Sequence, residues 1–451
     1  MKNRIISITG ASGVGKTTVA NLFKCILKKS IIVSGDDSHK WNRESENWKN
    51  FTHLNPSANN LEKEKIQLRL LKKGKTISRK LYNHNTGKFD EPIEVSSTKN
   101  IIYEGLHTLY DKEFCDLSDL KIYVEAEHKL KVDWKTKRDI RKRGYTRDQV
   151  IHNISRRKND EVKFIHPQKQ NSDVIIYFIM VDDKIRLHYH LKSDKYSLLL
   201  EKLKKLYDLN LDFIDTCNDL AKDSELVQNI GGNVSVKFEN KMLITSSGVN
   251  LSDVSISNGF CVVDFNKNQH MFPKNERPSM ELNSHLALNN TAVIHTHPFS
   301  LLVLLCSKQG EQKINEIFKN FDFKFINYAN PGKEIHQLIS KNKNTSVIFL
   351  QNHGLFVSTD SLKKSFSLTK KINDLAKQFI ASNSSPSEKT VHTDHCLFPD
   401  CAVLPEKNKH LNNLIFNKIH HLKMDANFLS YEKINELLQM EEEKYRKAGV
   451  K

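Results

Sequence analysis

The sequence predicts an α/β chain of more than one domain. The first is a parallel sheet behind a glycine-rich phosphate loop, and a second α/β domain follows it. Three observations carry this. Near the start a β-branched apolar run, Ile5–Thr9, leads into a glycine-rich turn, Gly10–Thr18, and then a helical continuation, Val19–Phe23. Far downstream, the apolar run Ala292–Ile294 ends in His295-Thr296-His297-Pro298, and a further run, Ser346–Leu350, ends before His353. The chain's 451 residues suffice for two or three cores.

The composition is that of a globular chain, with 38% hydrophobic and 27% charged residues. No apolar run reaches membrane-spanning length and the chain enters its first strand directly, so no membrane association and no signal peptide are expected. Seven cysteines, odd in number and mostly scattered, suit reduced thiols and a cytoplasmic setting. Seventy Lys and Arg against 53 Asp and Glu leave a charge of +17. Phosphorylated small molecules account for that surplus as well as nucleic acid does, and nucleic-acid binding is not expected.

The first turn fits the G-x-x-x-x-G-K-T pattern in its strand–turn–helix context. Gly10, Ser12, Gly13, Val14, Gly15 and Thr18 shape a loop whose N–H groups face phosphate oxygens. Lys16 adds charge near the transferring phosphoryl group and Thr17 can hold Mg²⁺, which implies a bound nucleoside triphosphate. A second strand, Ser30–Ser34, ends at Asp36, which either takes a proton from an acceptor hydroxyl or caps the following turn. A loop at 53–60 leads into a helix over Leu61–Lys72, and the strand Ile101–Tyr103 runs into Glu104, where a Mg²⁺ partner is expected. After the strand Leu120–Val124, a basic helix spans Trp134–Gly144. It is a solvated face or a phosphate clamp through Lys135, Arg138 and Arg143.

From Ile5 to about Phe178 the sequence resembles the phosphoribulokinase/uridine kinase family. The matching pieces include Gly35-Asp36 with His39 and Arg43, His53–Pro56, Tyr82-Asn83-His84, Glu104–His107, Lys135 with Arg138-Asp139, Arg143-Gly144, Arg156-Arg157 and Pro167-Gln168. The resemblance implies Asp36 as base and Glu104 as the carboxylate on the Mg²⁺ side. It implies a sugar phosphate held by His39, Arg43, Tyr82, His84, Lys135, Arg138 and Arg143, and a lid over ATP carrying Arg156 and Arg157. The aromatic residue usual before the His is absent from Asp37-Ser38.

No Gly/Ser- or Pro-rich linker separates the halves. A strand over Ile185–His190, an amphipathic helix around Tyr196–Tyr207 and another over Phe213–Leu226 place the boundary near 205. In the second half, Asn229–Phe238 is a glycine-entered strand, and Met242–Thr245 ends in the small-residue turn Ser246-Ser247-Gly248. On the strand ending in His295-Thr296-His297 the two imidazoles share a face. With His353 they make three ligands and an open fourth position, the pattern of a catalytic metal site. Glu281 opens the preceding helix, either as acid/base beside the metal or as a favourable N-terminal charge. His392, His395, Cys396 and Cys401 could bind zinc, but their spacing is non-standard and Pro399 imposes a turn.

Residues 210–382 resemble the class II aldolase/adducin family, chiefly its fuculose-phosphate aldolase branch. The resemblance rests on Gly232-Asn233 with Ser235, Ser247-Gly248, Pro278-Ser279 with Glu281, His295/His297, Tyr328 with Gly332, and Asn352-His353-Gly354. It implies a central, mainly antiparallel sheet flanked by helices. It implies Zn²⁺ or another divalent metal on His295, His297 and His353, a proton shuttled by Glu281, and Tyr328 protonating the departing aldehyde. Gly232, Asn233, Ser247, Gly248 and Ser279 would cradle a substrate phosphate, with Met280 where a second Ser often stands. Asp replaces Glu281 in the epimerase branch. The family habit implies a homo-oligomer, a tetramer with Tyr328 reaching across a subunit boundary.

The expected organisation is a kinase domain over 1–204, an aldolase domain over 205–385 and a C-terminal extension, 386–451, packing on it. The expected function is ATP-dependent phosphorylation of a sugar or sugar phosphate, with zinc-dependent cleavage of a sugar phosphate to dihydroxyacetone phosphate and an aldehyde. The alternatives for the second half are an epimerase, a dehydratase or a non-catalytic sugar-phosphate module.

Overall fold

The computed structural model describes residues 3–449 apart from 257, 268, 274–275 and 385–389. The chain separates into two compact units between Leu209 and Asn210. The expected boundary at 385/386 lies outside the described residues. The first division falls inside one continuous helix, Ser197–Ala221, where the sequence suggests two. Asp208-Leu209-Asn210-Leu211-Asp212 contains no Gly or Pro to stop a helix, and the apolar spacing runs on through it. Leu200, Leu203, Leu206, Tyr207, Phe213, Cys217 and Leu220 are all buried.

The first unit is a six-stranded sheet. Its order across is Lys184–Leu191, Val174–Val181, Leu120–Ala126, Arg4–Gly10, Asn100–Glu104 and Ser30–Ser34. All neighbours are parallel except the edge hairpin 174–181/184–191. The inner strands are covered on both faces, so Ile5, Ile6, Ile8, Ile101, Ile102 and Tyr103 are all buried and the strands read as apolar runs. The basic helix, His128–Arg143, stops at Gly144, whose φ of 67° suits a helix end. Thr146 then opens Arg147–Asp160 through a capping box with Gln149.

The second unit carries an eight-stranded sheet. Its order is Gln269–Phe272, Phe260–Asp264, Lys241–Thr245, Asn233–Phe238, Ala292–Thr296, Gly354–Thr359, Val347–Leu350 and Phe323–Ile326. Every pair is antiparallel except the last. Register sets His295 opposite Asn233 on one neighbour and Phe356 on the other. The helix Leu362–Asn383 covers one face through Ile372 and Ala376, in a cluster with Leu301, Leu304, Phe349 and Val357.

The tail adds four helices, Pro399–Val403, Pro405–His421, Tyr431–Gln439 and Glu441–Gly449. The sequence suggests a single last helix over Tyr431–Ala448. It is broken at Met440, which takes an extended backbone (ψ 129°) and packs against the Leu404, Leu429 and Leu437 cluster. Tail and sheet are tied by Asn352, whose amide donates to Leu397 O at 2.7 Å and Asn427 O at 2.6 Å. Among the described residues, no helix is long and apolar enough to cross a membrane.

Candidate active sites

In the first unit the loop after the first strand is built on Gly10, Gly13 and Gly15, all at positive φ. At Gly13 an added Cβ would sit 3.1 Å from Lys135 Cβ, so the loop lies directly against the basic helix. Lys16 Nζ donates to Gly10 O at 3.0 Å and Ala11 O at 2.9 Å, and Lys135 Nζ to Ser12 Oγ at 3.3 Å. Val14 is buried, while Thr17 is exposed on the first helical turn with Thr18 beside it.

Asp36 lies in the single turn Gly35–Ser38, whose cap is Ser34: its hydroxyl accepts from Asp36 N at 3.3 Å. The Asp36 carboxylate is thereby spared for His84 Nε2, 3.2 Å away. Arg143 donates to His84 Nδ1 at 3.3 Å, which assigns the ring proton to the nitrogen facing Asp36. Arg43 also reaches the His84 carbonyl. Burial works to raise the Asp36 carboxyl, but the His84 hydrogen bond, with the neighbouring imidazoles and Lys16, takes it well below its ordinary value. Glu104 closes the strand opposite Ser34 and accepts from its hydroxyl at 3.3 Å. Burial, with the charge of Asp36, pushes Glu104 up to about 7.

The charge on the basic helix is one-sided. Lys135, Arg138 and Arg143 all lean on Asp139, at 3.3, 2.9 and 3.4 Å. Burial and the neighbouring Arg157 push Lys135 down to about 7, and burial and Arg143 push Arg157 down to about 10. One carboxylate thus faces four crowded cations, an arrangement that favours an incoming anion. Arg156 is turned elsewhere, to the carbonyls of Trp48, Lys49 and Phe51. His39 sits edge-on to Trp48 and Tyr82, and Tyr82 edge-on to His84. Neither His39 ring nitrogen has a protein partner, and burial lowers the ring to about 4. A buried triad that sequence reading missed, Arg79 with Glu64 at 3.1 Å and Asp37 at 3.2 Å, ties down the turn Gly35–Ser38.

In the second unit, His295 Nδ1 donates to Leu355 O at 3.0 Å and His297 Nδ1 to Asp400 Oδ2 at 3.0 Å. Both Nε2 lone pairs therefore point inward, and those two atoms are 3.0 Å apart. Two lone pairs at that distance repel unless a cation lies between them. The His353 ring stands 5.0 and 5.1 Å from the other two, and one ligand atom from each of the three falls within 4.8 Å of the others. No other group of three possible ligands gathers among the described residues. The donor set therefore fits a divalent metal. Burial and mutual repulsion keep His295 and His353 neutral, as ligands must be.

Glu281 caps the helix Leu282–Ala287 and is buried 3.3 Å from His295 Nε2 and 3.6 Å from His353 Nε2. One oxygen accepts from Asn233 Nδ2 at 2.7 Å and the other has no hydrogen-bond partner in the protein. Asn233 is held in turn by His285, which accepts from Ser235 Oγ at 2.7 Å. Burial raises the Glu281 carboxyl. Gly232, Asn233, Ser247, Gly248 and Ser279 line the same cavity as Glu281 and the three histidines. Gly232, at φ 82°, lets the chain pass where a Cβ would meet His295 O at 2.8 Å.

Four residues of that lining come from the tail: Pro399, Asp400, Glu443 and Arg446. Arg446 pairs with Asp400 at 2.6 Å and Glu443 at 2.7 Å. Burial raises Asp400, but Arg446 and His297 outweigh it and hold the carboxyl far below its usual range. Tyr328 is not in the lining. Its hydroxyl donates to Asn330 at 2.9 Å and its ring packs on the Leu404/Leu429/Leu437 cluster. In the tail, Cys396 and Cys401 are free thiols that share a hydrogen bond, and His395 packs on Phe428.

Residues 5–184 match the model of the Phosphoribulokinase / Uridine kinase family. Across 178 residues the chain is 34% identical to the uridine kinase of Borrelia turicatae, covering 38% of this chain and 85% of that protein. The chain belongs to the phosphoribulokinase/uridine kinase family. It is also 34% identical over 185 residues to a phosphoribulokinase of Synechocystis, covering 40% of this chain and 56% of the relative. It thus spans little more than half the length of such phosphoribulokinases. Residues 212–380 match the Class II Aldolase and Adducin N-terminal domain, so this family member carries a class II aldolase domain after its kinase domain. Among solved structures, a Rhodobacter spheroides phosphoribulokinase aligns at a TM-score of 0.37 and 24% identity, covering 44% of this chain and 85% of that one. An L-fuculose 1-phosphate aldolase aligns at 0.33 and 22%, covering 39% and 86%.

Proposed function

We propose that the chain is a bifunctional sugar-phosphate enzyme. The kinase domain transfers a phosphoryl group from ATP, with Mg²⁺, to the 1-hydroxyl of a ketose or ketose phosphate. The aldolase domain cleaves the C3–C4 bond of the resulting 1-phosphate, giving dihydroxyacetone phosphate and an aldehyde. The observation that carries this reading is the second cavity, where a three-histidine ligand set, a buried carboxyl and small-residue turns face one space.

In the kinase domain, Gly10–Thr18 grips the triphosphate, Thr17 and Glu104 would hold Mg²⁺, and Asp36 accepts the proton of the attacking hydroxyl. His84 aims Asp36, and Arg143 sets the His84 tautomer. The surplus of cations over Asp139 supports an acceptor that already bears a phosphate. Arg157, crowded against Arg138 and Arg143, then belongs to acceptor binding as much as to a lid over ATP.

In the aldolase domain, His295, His297 and His353 would hold Zn²⁺ or another divalent ion, which supplies a Lewis acid for the ketose carbonyl. As C3–C4 breaks, the bonding electrons remain on C3, the C4 hydroxyl passes its proton to the free oxygen of Glu281 and C4 becomes the aldehyde carbon. Glu281 delivers the proton that C3 takes up, and Asn233 fixes which of its oxygens is free to do so. Tyr328 serves a neighbouring subunit of a homo-oligomer, a tetramer by the class II aldolase habit, in a cytoplasmic enzyme.

The test follows ADP release over a panel of ketoses and ketose phosphates, and zinc content by mass spectrometry. Asp36→Asn lowers kcat by about 10²–10⁴-fold, and His295→Ala loses a zinc otherwise present once per chain. An unchanged rate in Asp36→Asn, or no metal in the purified protein, contradicts the reading. Phosphorylation without cleavage of any product transfers the second domain to epimerase, dehydratase or binding chemistry.

A further inference from the structure

We infer that Arg446, brought to the metal cavity by the last helix, is the cation that reads the phosphate of the aldolase substrate, with Glu443 holding its place until a phosphate arrives. The inference rests on reading this cavity as a sugar-phosphate site, and it adds a residue from the tail, beyond the matched aldolase segment.

Among the described residues that line the cavity, Arg446 is the sole Lys or Arg, against three carboxylates, Glu281, Asp400 and Glu443. The turns opposite offer hydroxyls and N–H groups from Ser246, Ser247, Gly248 and Ser279 but no charge, and Met280 adds nothing polar. A phosphate dianion seated there without a cation would meet net negative walls. Arg446 is already placed for it. It lies along Gly248, where an added Cβ would be 3.5 Å from Arg446 O and 3.9 Å from its Cγ. Its helix is fastened nearby by Tyr445, over whose ring Arg277 stacks at 4.4 Å.

The two carboxylates on Arg446 are not equivalent. Asp400 accepts from Nη2 with good geometry and is anchored by its second oxygen to His297. Glu443 reaches Nε at 2.7 Å, yet neither of its oxygens nor Nε completes a well-aligned hydrogen bond. Glu443 is thus the weaker partner and the one that phosphate oxygens displace. With the trio in place the space open to a water-sized group is about 40 Å³, tight for a phosphate, and a Glu443 that yields enlarges it. Asp400 keeps Arg446 aimed throughout, which ties the phosphate seat to the histidine cluster through one side chain.

The experiment titrates inorganic phosphate, then dihydroxyacetone phosphate and dihydroxyacetone, into the full chain by calorimetry. A Lys16→Ala background weakens binding at the first domain. Arg446→Gln weakens inorganic phosphate and dihydroxyacetone phosphate by about ten- to hundredfold and leaves dihydroxyacetone unchanged. Glu443→Gln, which removes the competing charge, tightens both phosphates by about threefold or more. A purely structural ion pair gives the opposite pattern. Arg446→Gln then binds phosphate as the parent does once folding is verified by circular dichroism, and Glu443→Gln binds it no better. Either of those results overturns the inference. Neither depends on cleavage, so an inactive aldolase domain with the predicted phosphate pattern would sink the proposed reaction and leave Arg446 in its role.

Discussion

Asp400 touches both halves of the second site, accepting from His297 Nδ1 with one oxygen and from Arg446 with the other. A carboxylate behind a metal-binding imidazole fixes the ring's tautomer and raises its basicity. Asp400→Asn keeps the shape and loses the charge, so zinc affinity, measured by competition with a chelating dye, falls by about 10–100-fold. An unchanged affinity would assign Asp400 to Arg446 alone. The histidines were legible because strand periodicity puts His295 and His297 on one face whatever the rest of the chain does. The loop at Gly10–Thr18 was legible for a similar reason: its chemistry is local. Asp400, Glu443 and Arg446 were not. Pro399-Asp400 reads as an ordinary helix start and Glu443/Arg446 as an i,i+3 surface pair. Only the fold brings them across roughly 50 to 150 residues to the histidines. Asp36 lay between, since its local sequence allowed a cap, and the Ser34 hydroxyl fills that role instead.

The last helix shows what an element adds. Read as one charged stretch from Tyr431, it has no reason to enter a site. Its break at Met440, driven by apolar packing against Leu404 and Leu437, lets Glu441–Gly449 run as a separate piece along the cavity. The uninterrupted helix Ser197–Ala221 is the converse case, where missing breakers outweigh an expected domain seam. Burial pushes Glu443 up to about 7 against the pull of Arg446. A carboxyl raised in the folded chain contributes stability below its unfolded value near 4.5 and loses it as pH rises through about 7. The melting temperature of the parent should therefore fall relative to Glu443→Gln as pH is taken from about 4.5 to 8. A pH-independent difference between the two would show that burial does not raise the Glu443 carboxyl.

At the scale of the whole molecule, two sheets of different construction carry the two candidate sites. The parallel sheet was legible because its strands read as apolar runs, three of which lead to a candidate functional residue, Gly10, Asp36 or Glu104. The antiparallel sheet was legible in part: the strands beside the histidines declared themselves, while Phe260–Asp264 and Gln269–Phe272 have no local signal beyond apolar content. The surplus of +17 is not spread evenly over the sites. The first presents Lys135, Arg138, Arg143 and Arg157 around one Asp139, and the second a single Arg446 among three carboxylates. The first thus suits an acceptor that arrives charged, and the second would balance its carboxylates with the metal proposed for its three histidines. That division is the core of the account, and ³¹P NMR of the full chain with ATP, Mg²⁺, Zn²⁺ and a panel of ketoses and ketose phosphates tests it directly. The account predicts a new sugar 1-phosphate resonance that gives way to dihydroxyacetone phosphate in the parent and persists in His353→Ala. A 1-phosphate that accumulates equally in both, or no new phosphate resonance with any acceptor, would contradict it.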